Sequence, residues 1–243
     1  MRRMTRRGRV LVAVPLVIAC VLALLYGLLA VSKSRSFQFF GEIVNRVETD
    51  QRVVALTFDD APTERTAEVL DVLAAARVPA TFYAIGRNLE ERPDLGRRIV
   101  GAGHELGNHT YDHRRMLGTH ETPGYVRDQL DRTDARIREA GYSGAITFRP
   151  PNGKKLLGLP WELSRRGTTT VTWDVEPDTF HAGDAAAIER YTLDGVRPGS
   201  IVLLHPFCEE GCRADREALP RIVDRLRADG YRFVTVGDLL RLR

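Results

Sequence analysis

Cysteine is scarce in this chain, with three residues among 243. Cys20 lies in a long apolar run, which leaves Cys208 and Cys212 as an isolated pair with a short, glycine-containing segment between them. In an oxidising compartment such a pair can form a disulfide. Metal binding is the alternative, but two thiols alone make a poor site, so the sequence favours a disulfide between Cys208 and Cys212.

The body of the chain also lacks an excess of positive charge. The formal net charge is +4, but residues 1–35 hold seven of the 36 basic side chains and none of the 32 acidic ones. The remainder therefore carries 29 basic and 32 acidic residues, a net charge of −3. A mildly acidic body lacks the excess of basic residues that is typical of proteins that bind nucleic acid. The basic excess at the N-terminus indicates membrane topology instead.

Long apolar runs are absent beyond the first 31 residues. Residues 10–31 contain no charged side chain, and about 20 apolar residues suffice to span a bilayer. Arginines precede this run, so we expect residues 1–9 in the cytoplasm, a transmembrane anchor at 10–31, a linker at 32–50 and an extracytoplasmic domain at 51–243. A cleaved signal peptide, or a lipid on Cys20 within Val17-Ile18-Ala19-Cys20, remains an alternative.

Residues 51–243 show no internal repeat and no hairpin signal. Short β-branched or apolar segments alternate there with amphipathic segments, which favours parallel βα units in a single domain. Strands are predicted at 53–58, 79–84, 104–108, 145–148, 169–173, 201–205 and 232–235. Helices are predicted at 66–76, 93–102, 125–140, 159–166, 185–196, 218–229 and 236–242.

Chemically active side chains cluster just after the predicted strands. Asp59 and Asp60 end the apolar run that begins at Val53, and His205 ends another. In an α/β barrel such positions lie together at the carboxyl ends of the strands, where active sites form. His109 and His113 are four residues apart, so on a helical turn both imidazoles would project from one face.

Two histidines and one carboxylate with an open coordination position suit catalytic zinc or a similar divalent ion. We expect Asp60, His109 and His113 to be the metal ligands. Asp59 then remains as the general base that takes a proton from water, and His205 is placed to act as the general acid.

These residues carry a resemblance to the polysaccharide deacetylases of carbohydrate esterase family 4, from about Val53 to the C-terminus. Thr57-Phe58-Asp59-Asp60 resembles the first motif of that family, and His109-Thr110-Tyr111-Asp112-His113 matches the second. Arg149-Pro150-Pro151 resembles the third motif and Leu203-Leu204-His205 the last. The resemblance implies a distorted seven-stranded (β/α) barrel. It also implies that Arg149 orients the carboxylate of the base.

The chain departs from the family pattern at three places, the first being Ala61, where a glycine often follows the Asp pair. Asn152 stands where a tyrosine is common, and its backbone N–H would help to hold the oxyanion. In the fourth motif the usual Asp-Trp is missing, so we expect Asp178 to orient the imidazole of His205 and Phe180 to supply a hydrophobic wall for the substrate. These departures leave open a glycan-binding protein without catalysis.

The resemblance predicts a hydrolase that removes N-acetyl groups from a cell-envelope glycan. With the domain outside the membrane, N-acetylglucosamine or N-acetylmuramic acid of peptidoglycan is the expected substrate, and chitin-type oligosaccharides or an O-acetyl ester are the alternatives. Zinc is the expected ion, with cobalt, manganese or nickel as substitutes. We expect a monomer.

Overall fold

The computed structural model describes the backbone of residues 6–243 and the side chains from residue 17 onward. Its first helix, α1 (Arg6–Lys33), covers the predicted anchor. The side chains of residues 10–16 in that anchor lie outside the described residues. Within the described part of the chain, no helix combines the length and the apolar character that a membrane crossing requires.

The domain is an α/β fold organised around a parallel sheet. Five strands form this sheet in the order β4-β3-β2-β6, with β7 also paired to β2, and β1 pairs with β5 separately. The strands are β1 (Ile43–Val44), β2 (Val53–Ala61), β3 (Thr81–Ala84), β4 (Glu105–Asn108), β5 (Thr170–Val171), β6 (Ser200–Leu204) and β7 (Arg232–Phe233). The central strand β2 is apolar and inaccessible to solvent over its first four residues, as expected for a strand covered on both faces.

In the described chain after α1, seven helices match the predicted amphipathic segments, and the short helices at 86–91 and 178–181 were not predicted. The helices are α2 (Thr66–Ala76), α3 (Gly86–Glu91), α4 (Pro93–Gly101), α5 (Pro123–Glu139), α6 (Gly158–Arg166), α7 (Asp178–His181), α8 (Ala185–Gly195), α9 (Arg213–Ala228) and α10 (Val236–Leu240). The buried leucines of α2 lie on the side that faces the sheet, and proline occupies the first turn of α4 and α5, where no intrahelical N–H is lost. The predicted helix at 218–229 begins one turn earlier, at Arg213.

The predicted distorted barrel of seven strands is confirmed in part, as an α/β fold. The segment 145–148 is not a strand, because only Phe148 pairs, with Asn108 on one side and Thr170 on the other. Val175 forms a similar isolated bridge with Val202. Among the described residues the strands therefore do not close into a continuous barrel, and single bridges link β4 to β5 and the chain after β5 to β6.

The segment 32–50, predicted to be a linker, packs against the domain. Its strand β1 pairs in parallel with β5, through Ile43 opposite Thr170. Val47 is buried, and its backbone N–H donates a hydrogen bond to the carbonyl of Gly199. The sequence of this segment is polar and carries no long apolar run. A strand of two residues is too short to show an alternation of apolar and polar side chains, so it could not be predicted.

Candidate active site

The strand β2 carries a bulge at Asp60. Asp59 pairs with Tyr83 and Ala61 pairs with Ala84, so Asp60 is the extra residue between them. Its φ of 72° lies in the left-handed region that non-glycine residues rarely adopt. A bulge re-aims the side chain it carries. The two adjacent carboxylates therefore leave the strand in different directions.

Asp59 is buried and held by Arg149. The Arg149 guanidinium donates to the Asp59 carboxylate and to the Thr57 hydroxyl, each at 2.8 Å, and is itself fully buried. Burial alone would raise the pKa of Asp59, but the charge of the Arg149 guanidinium holds that pKa below its usual value. Asp59 is thus ionised and able to accept a proton.

Asp60, His109 and His113 bring one ligand atom each to a common point, with all three atoms within 4.8 Å of one another. The Asp60 Oδ1 atom lies 3.2 Å from Nε2 of His113 and 3.8 Å from Nε2 of His109. That oxygen is buried and has no hydrogen-bond partner among the described residues. An orphaned carboxylate oxygen facing two imidazole nitrogens fits a divalent cation.

The tautomer of His109 supports the same interpretation. Its Nδ1 lies 2.7 Å from the backbone carbonyl of Arg149, which can only accept a hydrogen, so Nδ1 donates and Nε2 offers its lone pair. Burial lowers the pKa of His109 despite the opposing charge of Asp59. The imidazole is therefore neutral, as a metal ligand must be.

The two histidines are not on a helical turn, which corrects the prediction from their spacing. Residues 109–113 form an irregular loop in which Thr110 and His113 have φ values of 67° and 58°. Asn108 stabilises this loop through its side-chain oxygen, which accepts from the Thr110 N–H at 2.8 Å. The left-handed backbone conformations of Thr110 and His113 bring the ring centroids of His109 and His113 to 4.9 Å from each other.

His205 faces the same cavity from the end of β6. Its Nδ1 lies 2.8 Å from the Asp178 carboxylate, which also accepts from the His205 backbone N–H at 2.7 Å. Burial acts to lower the pKa of His205, but the hydrogen bond and charge of Asp178, with those of Asp59 and Asp60, raise it to about 9. The imidazole is a proton donor at neutral pH.

A cavity of about 520 Å³ contains these groups, and Asn152 and Trp173 line its walls. Phe180 does not line it: its ring is 63 % exposed and stacks on Tyr191 of α8. Trp173 contributes an apolar aromatic side chain to the cavity lining instead, and its indole N–H donates to Glu176 at 2.8 Å. Asp178 and Phe180 both belong to α7, but Asp178 contacts His205 while the ring of Phe180 packs on α8.

Several cavity residues were not found from the sequence. Glu176 lies in the altered fourth motif, where the sequence assigns it no role, and the sequence accounts for Lys33 and Arg35 by membrane topology alone. Arg115 and Lys154 also line the cavity. These residues come from four separate stretches of the chain, so only the folded arrangement brings them together.

The loop after His205 contains the paired cysteines. The sulfur atoms of Cys208 and Cys212 are bonded in the structure. The Arg216 guanidinium, from α9, donates to the carbonyl oxygens of Pro206, Cys208 and Glu209. The loop is therefore held against α9 directly beside the predicted acid.

A carboxylate with two imidazoles, next to a second carboxylate and a protonated histidine, is typical of metal-assisted hydrolases. The family model described as polysaccharide deacetylase matches residues 46–171. The chain belongs to this family.

Known proteins agree in fold and sequence. The chain is 38% identical over 201 residues to a chitooligosaccharide deacetylase of Sinorhizobium fredii, covering 82% of this chain and 87% of that protein. The solved structure of a peptidoglycan N-acetylglucosamine deacetylase in complex with a benzamide superposes with a TM-score of 0.73 at 32% identity, over 80% of this chain and 91% of that one. A pseudoenzyme of carbohydrate esterase family 4 from Bacillus anthracis gives 0.72 at 27% identity, over 81% and 68%.

Proposed function

We propose that this protein removes N-acetyl groups from the N-acetylglucosamine or N-acetylmuramic acid of peptidoglycan, with the help of one divalent ion. The proposal rests on one observation. The candidate metal ligands Asp60, His109 and His113 line the same cavity as Asp59 and His205. The similarity to deacetylases of peptidoglycan and of chitooligosaccharides supports the reaction and the glycan class.

Each residue has a distinct role in this proposal. Asp59, ionised and fixed by Arg149, takes the proton of the attacking water. The backbone N–H of Asn152, at the cavity wall, stabilises the oxyanion. His205, protonated and oriented by Asp178, gives a proton to the departing amine.

Asp60, His109 and His113 would hold the metal ion. When bound, a divalent ion lowers the pKa of water and polarises the acyl oxygen. Two imidazoles and one carboxylate suit zinc, and cobalt, manganese or nickel would fit the same ligands.

The direct test is acetate release from N-acetylated glycan by the purified protein supplied with zinc or cobalt. Asp59→Asn and His113→Ala should each abolish it, because one removes the base and the other a ligand. Release at the wild-type rate by both variants would refute the mechanism. Mass spectrometry of peptidoglycan fragments from cells with and without the protein would identify the sugar that loses its acetyl group.

A glycan-binding protein without catalysis is the second candidate, because one structural relative is a pseudoenzyme. The intact set of base, acid and ligand positions favours the enzyme. Elemental analysis separates the two: a protein that binds no metal and stays inactive with added zinc or cobalt would be the binder.

We further propose that the domain lies outside the cell and is held at the membrane by residues 10–31. The charge-free run and the arginines before it support this location. In the described part of α1, Leu22, Leu24 and Leu25 are more than half exposed, which suits contact with lipid. Recovery of the full chain in the soluble fraction of cells would refute it.

A further inference from the structure

Four basic side chains line the cavity that contains Asp59 and His205. They are Lys33, Arg35, Arg115 and Lys154. We refer to these four as the basic rim. They come from three separate stretches of the chain, so their meeting is not a consequence of a local charge run.

The first part of the rim, Lys33 and Arg35, is fixed to the domain by Lys155. Lys155 is 1% exposed, and its ammonium donates to the carbonyl of Ser34. The backbone N–H of Lys155 donates to the carbonyl of Ser32. The Thr172 hydroxyl donates to the carbonyl of Arg35. The residues that follow α1 are thus held at the cavity mouth by the domain itself.

Arg35 is further oriented by its neighbours. Its guanidinium pairs with Glu176 and lies 4.8 Å above the Trp173 ring. Glu176 in turn accepts from the indole N–H of Trp173 and, at 2.8 Å, from the hydroxyl of Thr179. One carboxylate therefore serves three donors, and Arg35 is pre-organised at the wall.

The second part of the rim, Arg115 and Lys154, flanks Asn152. The Nε atom of Arg115 donates to the side-chain oxygen of Asn152 at 3.1 Å, and its terminal nitrogens have no hydrogen-bond partner among the described residues. Burial, followed by the charges of Lys33 and Arg115, lowers the pKa of Lys154. Among the described residues, Arg35 is the rim member with a carboxylate partner. The other three rim members form no ion pair within the described part of the chain, and like charges that are not paired favour an anion.

We propose that the basic rim binds an anionic substituent of the glycan, a carboxylate or a phosphate, while the acetamido group lies at Asp59 and His205. This inference rests on the proposed deacetylation and narrows its substrate class. The terminal nitrogens of Arg115 present a planar donor pair that matches either anion, and Arg35, Lys33 and Lys154 add positive charge. The enzyme then prefers glycans that carry negative charge, such as those with muramic acid, over neutral chitin-type oligosaccharides.

Two matched substrates test the proposal with the full-length, metal-loaded protein. One is a muramic-acid-containing tetrasaccharide with its free carboxylate, and the other is the same compound with that carboxyl converted to an amide. A chitin tetrasaccharide with and without a 6-phosphate forms the phosphate arm. We expect kcat/KM to be about tenfold higher for the anionic member of the pair, equivalent to about 1.4 kcal/mol. Added salt should reduce the ratio.

Variants link the preference to the rim. Lys154→Gln and Arg115→Gln should each reduce the anionic-to-neutral ratio of kcat/KM, mainly through KM, and the double variant should bring it close to one. Arg221→Gln, which removes one charge from an exposed position on α9, should leave the ratio at its wild-type value. The arm whose ratio falls identifies the anion as carboxylate or phosphate.

The failure of this inference and that of the proposed function give different results. Equal kcat/KM for charged and neutral members of both pairs, or ratios unchanged by the double variant, would overturn the role of the rim while deacetylation stands. The absence of acetate release from every substrate would refute the deacetylase itself.

Discussion

Replacing Asp178 with asparagine should weaken the acid without altering the ligand set. The Asp178 carboxylate accepts from both the Nδ1 and the backbone N–H of His205 and is 6% exposed. Asparagine keeps the shape and can still accept from one of these donors, but it removes the negative charge. Burial then dominates, and the pKa of His205 falls.

The size of the effect follows from the pKa of His205, which is about 9. Loss of a close opposite charge lowers such a pKa by about 1–3 units. At pH 8, wild-type His205 is about nine-tenths protonated. After a drop of about two units, it would be about one-tenth protonated. We therefore expect kcat for acetate release to fall about tenfold at pH 8 and less at pH 6.

The assay is the pH profile of kcat for wild type, Asp178→Asn and the control Asp194→Asn, which alters an exposed charge on α8. The alkaline limb of the Asp178→Asn profile should move to lower pH, while that of Asp194→Asn stays in place. An Asp178→Asn profile with an unshifted alkaline limb and a uniformly reduced kcat would refute the assignment of His205 as an acid tuned by Asp178.

Three further predictions follow from the same contacts. Asp60→Asn should lower the metal content measured by elemental analysis, whereas Asp71→Asn, at an exposed site on α2, should not. Arg149→Gln should reduce the free energy of unfolding in urea by about 3–5 kcal/mol, because it leaves the Asp59 carboxylate buried without its partner; a change near zero would contradict this. Thiol titration of the unreduced, denatured protein should detect Cys20 alone, and detection of Cys208 and Cys212 as well would exclude their disulfide.

The pH dependence of stability has a definite sign. Because the folded-state pKa of His205 is raised from 6.5 to about 9, its interaction with Asp178 stabilises fully below pH 6.5 and is lost as pH rises through 9. The difference in Tm between wild type and Asp178→Asn should therefore be largest near pH 6 and shrink above pH 9. A difference that grows with pH would contradict the direction of this pKa.

The sequence predicted the elements whose signal is local. The apolar run from Val53 predicted β2, and the spacing of the apolar residues at 66–76 predicted α2, both with nearly the observed bounds. The positions of Asp59 and His205 after buried strands also predicted that the two side chains lie close together, because the carboxyl ends of parallel strands lie on one side of a sheet. Each of these inferences needs only the period of one segment.

The sequence could not predict features that depend on backbone irregularity or on distant partners. The bulge at Asp60 breaks the two-residue period on which strand prediction relies. The histidine spacing suggested a helical turn, while the structure uses left-handed residues at Thr110 and His113. Arg35 and Glu176 are 141 positions apart, and no local pattern reports their pairing.

The attachment of residues 32–35 by Lys155 has a consequence for where the chain can be cut. A shortened protein that begins at residue 46, where the family match starts, would lose Lys33 and Arg35 from the cavity wall. It would also leave the buried ammonium of Lys155 without the carbonyl of Ser34. Such a fragment would retain every family motif and yet present a different substrate-binding surface, so measurements of substrate preference made on it would not describe the whole chain.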